Sequence, residues 1–169
     1  HGAERCALVR LGVSGADGLG SDGNFTPDLG ASYFVFGRDD GFGPQVDLSQ
    51  LDGTNGFAIY GRIGGVPSSD AVANAGDVNG DGYDDIVIGS HQFSINAGSA
   101  VVVYGRPGIG TDALRNQAGI DGSNGFFIDP DFNASAALGR SVSGAGDVNG
   151  DGFDDVIVGA SSSNLNGDV

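Results

Sequence analysis

Residues 75–89 read AGDVNGDGYDDIVIG and residues 145–159 read AGDVNGDGFDDVIVG. The two stretches share the spacing D-x-N-x-D-G-x-x-D, and each runs directly into an apolar segment. A chain that repeats a loop together with the strand after it is built from copies of one supersecondary unit, because a single copy cannot bury its apolar face alone. Two further pairs carry the same period. LDGTNGFAIYG at 51–61 matches IDGSNGFFIDP at 120–130, and GASYFVFGR at 30–38 matches GSAVVVYGR at 98–106. One complete copy is therefore expected over 62–130, with its acidic loop at 77–85. A partial copy covers 11–61. A further copy covers 131–169, with its loop at 147–155, and stops before a GSAVVVYGR-like strand. Residues 1–10 are either a degenerate copy or foreign to the repeat. Aligning Gly12 with Gly89 puts Glu4 at the place of Asp81, Leu8 at that of Asp85, and Arg10 where an inward apolar residue belongs.

Strands are predicted at Tyr33–Phe36, Phe57–Tyr60, Asp85–Ile88, Ala100–Tyr104, Phe126–Ile128 and Asp155–Val158. The runs YFVF, VVVY, IVI and VIV do not alternate, which predicts strands buried on both faces. The 33 glycines fall between these runs and read as turn residues, while prolines number only 5. Short turns favour antiparallel pairing. An antiparallel sheet covered on both faces needs sheets stacked on either side, as in a β-propeller of four-stranded blades. The fold class expected is all-β, a partial propeller of about two and a half repeats. Two and a half blades do not close a ring, so exposed sheet faces and self-association are expected if the fragment stands alone. Residues 111–118 (TDALRNQA) are the one segment that could form a helical turn.

The acidic loops carry the chemistry. Calcium takes six to eight oxygens in a flexible shell. Asp77, Asn79, Asp81 and Asp85 would offer side-chain oxygens in the first loop, and Tyr83 its carbonyl. Asp147, Asn149, Asp151, Asp155 and the Phe153 carbonyl repeat the set, giving two Ca²⁺ sites. Gly82 and Gly152 sit at the bend, where positive φ is needed. Asp84 falls between ligand positions and is expected to bond loop amides or face water. An EF-hand would need a bidentate Glu at its twelfth position, where Ile88 and Val158 stand, and flanking helices. The plainer reading is that Asn79-Gly80 and Asp81-Gly82 are hairpin dipeptides. A hairpin needs only one such dipeptide, and not aspartates at the first and ninth places twice over.

Charge narrows the partners. Twenty-two acidic residues against seven basic ones give a net −15. That excludes a phosphate-binding face for nucleic acid and disfavours an anionic membrane. No apolar run is long enough to insert in a bilayer. Cys6 is the lone cysteine, so no internal disulfide forms, and the start HGAERCALVR has the look of a chain interior.

With loop, strand and glycine-ended strand in place, the repeat resembles the FG-GAP family, the integrin α-type β-propeller repeat. The best match is LGRSVSGAGDVNGDGFDDVIVGASSS at 138–163, then AVANAGDVNGDGYDDIVIGS at 71–90. The eponymous words are altered: Leu138-Gly139 and Ser69-Asp70 stand at F-G, Gly159-Ala160-Ser161 and Gly89-Ser90-His91 at G-A-P. The resemblance implies calcium in these loops on one face of a propeller. It implies a protein or glycan ligand on the opposite face, and an extracellular, secreted or cell-surface adhesion or recognition module without catalysis. Such repeats also accompany secreted hydrolases, glycosylphosphatidylinositol-specific phospholipase D among them. An accessory region of such an enzyme, or a purely structural spacer, is therefore the alternative.

Other signals are weak. Gly18-x-Gly20-x-x-Gly23 fits a dinucleotide fingerprint on paper but lacks a βαβ setting. Asn24-Phe25-Thr26 and Asn133-Ala134-Ser135 are glycosylation triplets that arise readily by chance. Ser141 misses the nucleophile elbow, and His1 and His91 have no triad partners in the sequence.

Overall fold

A computed structural model describes residues 30–61, 70–91, 98–111, 117–130 and 137–161, together with the backbone of Cys6–Ala7. The Gly18–Gly23 motif, both glycosylation triplets and most of 111–118 lie outside the described residues. All regular structure among the described residues is β, apart from 3-10 turns at Leu48–Gln50 and Gln117–Gly119.

The strands are β1 (Cys6–Ala7), β2 (Ala31–Phe36), β3 (Gly56–Tyr60), β4 (Ala71–Gly76), β5 (Asp85–Ser90), β6 (Ser99–Val103), β7 (Gly125–Ile128), β8 (Leu138–Gly146) and β9 (Asp155–Ala160). They form three antiparallel sheets: β1-β2-β3, β4-β5-β6-β7 and β8-β9. Each predicted strand lies in one of these, with Tyr104 falling just past the end of β6. The four-stranded sheet is a simple meander, and its acidic loop joins β4 to β5. β8 and β9 hold the second acidic loop in the same way.

The repeat is visible at atomic detail in two turns. Asp52 accepts from the Thr54 amide and hydroxyl, and Asp121 accepts from those of Ser123. Asn55 Oδ1 accepts from Asp52 N–H, and Asn124 Oδ1 from Asp121 N–H. Their amide nitrogens donate to Gln50 O and Gly119 O. Gly53 and Gly122 both adopt φ 93°, a left-handed bend that disfavours a side chain. These side-chain bonds satisfy the turn backbone without sheet partners. They set the register that opposes Val35 to Gly56 and Val103 to Gly125.

Two apolar layers hold the sheets together. Phe34, Phe57 and Ile59 of the first sheet pack with Ile88, Val101 and Val103 of the second. Phe34 and Phe57 stack with ring centroids 4.8 Å apart. On the other side of the second sheet, Ala75, Val87, Ala100 and Val102 meet Val142, Val156 and Val158 of the third. β6 is thus buried at every residue, as its unbroken apolar run requires. β9 departs from that expectation. Ile157 is 60% exposed, whereas Val87, its counterpart in the second sheet, is fully buried. The run VIV marks a strand with an apolar outer face, and Ile157 lies on the face turned away from the second sheet. Val148 is exposed as well.

Glycines let the second and third sheets approach backbone to backbone. A Cβ on Gly89 would collide with Gly139 O, and one on Gly139 with Ser99 O. Gly98 and Leu138 form an isolated parallel bridge at the same place.

Candidate metal centres

Each acidic loop is delivered by a bulge. The register of β4 against β5 shifts between Asn74 and Gly76, and that of β8 against β9 between Gly144 and Gly146. Gly76 and Gly146 both have positive φ, near 70–77°. The extra residue turns the strand out of its ladder and points the next residue, Asp77 or Asp147, into the loop.

Inside the first loop the acidic side chains converge on backbone amides. Asp77 accepts from Asp81 N–H at 3.0 Å and from Gly82 N–H at 2.9 Å. Asn79 Oδ1 accepts from Asp81 N–H, and its amide donates to Asp81 Oδ2. Asp81 Oδ1 accepts from Tyr83 N–H. Asp85 Oδ2 accepts from Val78 N–H at 2.9 Å. The second loop repeats nearly every bond. Asp147 holds the amides of Gly150, Asp151 and Gly152. Asn149 and Asp151 exchange the same pair, Asp151 accepts from Phe153 N–H, and Asp155 accepts from Val148 N–H at 2.8 Å. Gly82 and Gly152 take φ 88° and 93°, as the bend requires.

All ten sequence-predicted donors thus lie in two tight loops whose polar side chains are tied to one another through the backbone. Among the described residues, no three Asp, Glu, His or Cys side chains are gathered as a ready metal cage. The donor chemistry nevertheless suits a hard cation. A carboxylate has about four lone-pair sites, and the amide bonds above occupy only some of them. Asp85 makes the case most directly. It is 1% exposed, and burial pushes its pKa up to about 6, against the pull of the Gly105 and Val78 amides. Asp81 and Asp77 push in the same direction as burial. A buried carboxylate beside two others is what a divalent ion would relieve. In the second loop Asp147 is exposed, and the Gly152 amide, followed by those of Gly150 and Asp151, holds its carboxyl below the usual range.

Three features escaped the sequence. Asp85 Oδ1 also accepts from Gly105 N–H at 2.8 Å, so one carboxylate ties the loop to the chain leaving β6. Asp84 is exposed, one of the two alternatives expected of it, and it also accepts from Asn74 Nδ2 at 3.2 Å. Asp154, its counterpart, crosses to the first loop: its carboxylate accepts from Asp77 N–H, and its own N–H donates to Asp77 O. The doubled aspartate of each loop was the available signal, but spacing alone does not say which sheet it faces.

Sheets repeated in tandem, the first two sharing one turn and the last two one bulged loop, define an all-β repeat protein. Residues 70–104 and 138–169 match the FG-GAP repeat family model, so the chain carries FG-GAP repeats in those two segments. It is similar to integrin alpha chains. Integrin alpha-5 of Xenopus laevis is 31% identical over 94% of this chain and 15% of its own length. Integrin alpha-2 of Bos taurus is 36% identical over 65% of this chain and 8% of its own. Integrin alpha-2 of Mus musculus is 37% identical over 53% and 7%. The chain therefore spans a small part of the relatives it matches. Among the described residues no helix is long and apolar enough to cross a membrane.

Proposed function

We propose that the chain is a calcium-stabilised, non-catalytic recognition module of propeller blades that acts outside the cell. The blades would follow the boundaries 11–61, 62–130 and 131–169. Calcium would be held by oxygens of Asp77, Asn79, Asp81 and Asp85 with the Tyr83 carbonyl, and by Asp147, Asn149, Asp151 and Asp155 with the Phe153 carbonyl. When bound, the ion supplies positive charge that offsets repulsion among clustered carboxylates. The residues themselves hold the turn: Asp77 and Asp147 gather the loop amides, and Asp85 fixes the loop to the chain after β6. The ligand, a protein or glycan, would meet the face opposite these loops. The reading is supported above all by Asp85, a carboxylate buried beside two other acids. Similarity to integrin alpha chains supports the extracellular, adhesive setting.

Loops of this extracellular kind bind on the order of 10⁻⁴ to 10⁻³ M. Calcium at a hundred times the dissociation constant should then add roughly 2.7 kcal/mol of stability per site. Asp81→Ala should remove about one such increment in calcium and change little in chelator, measured by thermal unfolding in both. Equal losses in the two conditions would overturn the calcium role, as would calorimetry showing no uptake by the folded chain.

A further inference from the structure

We propose that Asp154 is a positioning residue that couples the two loops, so that ordering the 147–155 loop holds the first oxygen donor of the 77–85 loop in place. This rests on the calcium reading above and adds that the two ions bind with positive cooperativity.

Asp154 grips both main-chain polar groups of Asp77. Its Oδ2 accepts from Asp77 N–H at 2.9 Å, and its N–H donates to Asp77 O at 3.1 Å. Gly76 makes room for this: a Cβ there would collide with the Asp154 carboxylate. Beside it, the Phe153 ring rests on Gly80, where a Cβ would come within 2.5 Å of ring atom Cε1. The contact therefore reaches the first loop at two points, one on either side of its first two donors. On its own side Asp154 stands between Phe153 and Asp155, the last two donors proposed for the second loop. Fixing those two fixes the backbone from which Asp154 reaches across. Among the described residues Asp154 supplies the hydrogen bonds that join the two loops, with the Phe153 ring packed beside it, so no diffuse route through the core is needed. Asp84 is bonded to Asn74 within its own sheet, so among the described residues the crossing contact is made by Asp154 and not by its counterpart. Linkage makes the effect reciprocal: each ion tightens the binding of the other by one common factor.

Terbium(III) can replace calcium as the probe. Tyr83 occupies the first loop where Phe153 occupies the second, so luminescence excited through tyrosine reads the first loop. Asp151→Ala, which disables the second loop, should weaken terbium binding at the first by about five- to tenfold, within the usual range for coupled sites. In an Asp154→Ala background the same change should leave first-loop affinity within about twofold. Asp154→Asn, which keeps an oxygen for Asp77 N–H, should restore the coupling. A second measurement needs no change at 154. In Asp81→Ala, whose own loop is disabled, calcium taken up by the second loop should slow hydrogen exchange at Asp77 N–H. Two ions binding independently, or equal weakening with and without Asp154, would overturn the coupling alone. So would unchanged exchange at Asp77 once the second loop is loaded. No terbium uptake at either loop of the unaltered chain would instead sink the calcium reading beneath it.

Discussion

Asp85→Ala is expected to be among the most destabilising single changes in this chain, and its cost should depend on pH. The substitution strips the acceptor from two backbone amides, Val78 N–H and Gly105 N–H. A buried donor left without a partner costs about 1–3 kcal/mol, so the two together cost about 2–6 kcal/mol. An opposing effect acts in chelator. Burial raises the folded pKa of Asp85 from the ordinary 3.8 to about 6, so the folded state holds its proton more tightly than the unfolded state does. Stability from this group is therefore intact below pH 3.8, falls as pH rises toward 6, and is fully lost above it. Across that pH interval the loss approaches roughly 3 kcal/mol. The deficit of Asp85→Ala should then be largest near pH 4 and shrink by up to about that amount at pH 7. Asp155→Ala serves as the comparison. Asp155 is only partly buried and accepts from Val148 N–H, so its loss should cost about 1 kcal/mol. Urea titrations of both variants at the two pH values would decide. Equal deficits for the two would refute the bridging role of Asp85.

The second large effect should come from Gly89→Val. The space beside Gly89 is filled by Gly139 O, by Gly139 C and by a methyl of Val142. Two of these are backbone atoms that cannot swing aside. Overpacking a core by a few methyl groups usually costs about 1–3 kcal/mol, and more where backbone must move. We expect about 3 kcal/mol or more, with β8 and β9 losing amide protection before β5 and β6 do. Gly122→Ala separates spacing from conformation. Gly122 has φ 93° but nothing within 4 Å, so its change meets only the left-handed strain of about 1–2 kcal/mol. A Gly89→Val chain as stable as Gly122→Ala would show that the two sheets are not held at backbone distance.

Much of this architecture can be read from residues alone, and the exceptions have a common physical source. YFVF, VVVY and IVI announce strands because only a doubly covered sheet accommodates them. β4 and β8 do not announce themselves. AVANAG and LGRSVSGAG carry small and polar residues that read as loop, yet they form strands because a neighbouring sheet comes too close for larger ones. Ala75 is fully buried for that reason. The acidic loops are legible down to the glycine at the bend, since a local pattern of oxygens and amides fixes them. The bond from Gly105 to Asp85 spans twenty residues, and that from Asp77 to Asp154 spans 77, so neither leaves a local trace. Ile157 errs the other way: its run looks like core, but burial depends on what stands opposite, which the run does not encode.

Gly76 and Gly80 receive Asp154 and Phe153, while among the described residues nothing stands within 4 Å of the places where Gly146 and Gly150 would carry a Cβ. Every loop of this type thus owns both halves of one joint, a pair of glycine sockets and an aromatic–aspartate plug. A unit with that property can be duplicated in tandem without inventing a new interface, and copy number alone then sets how long the array becomes.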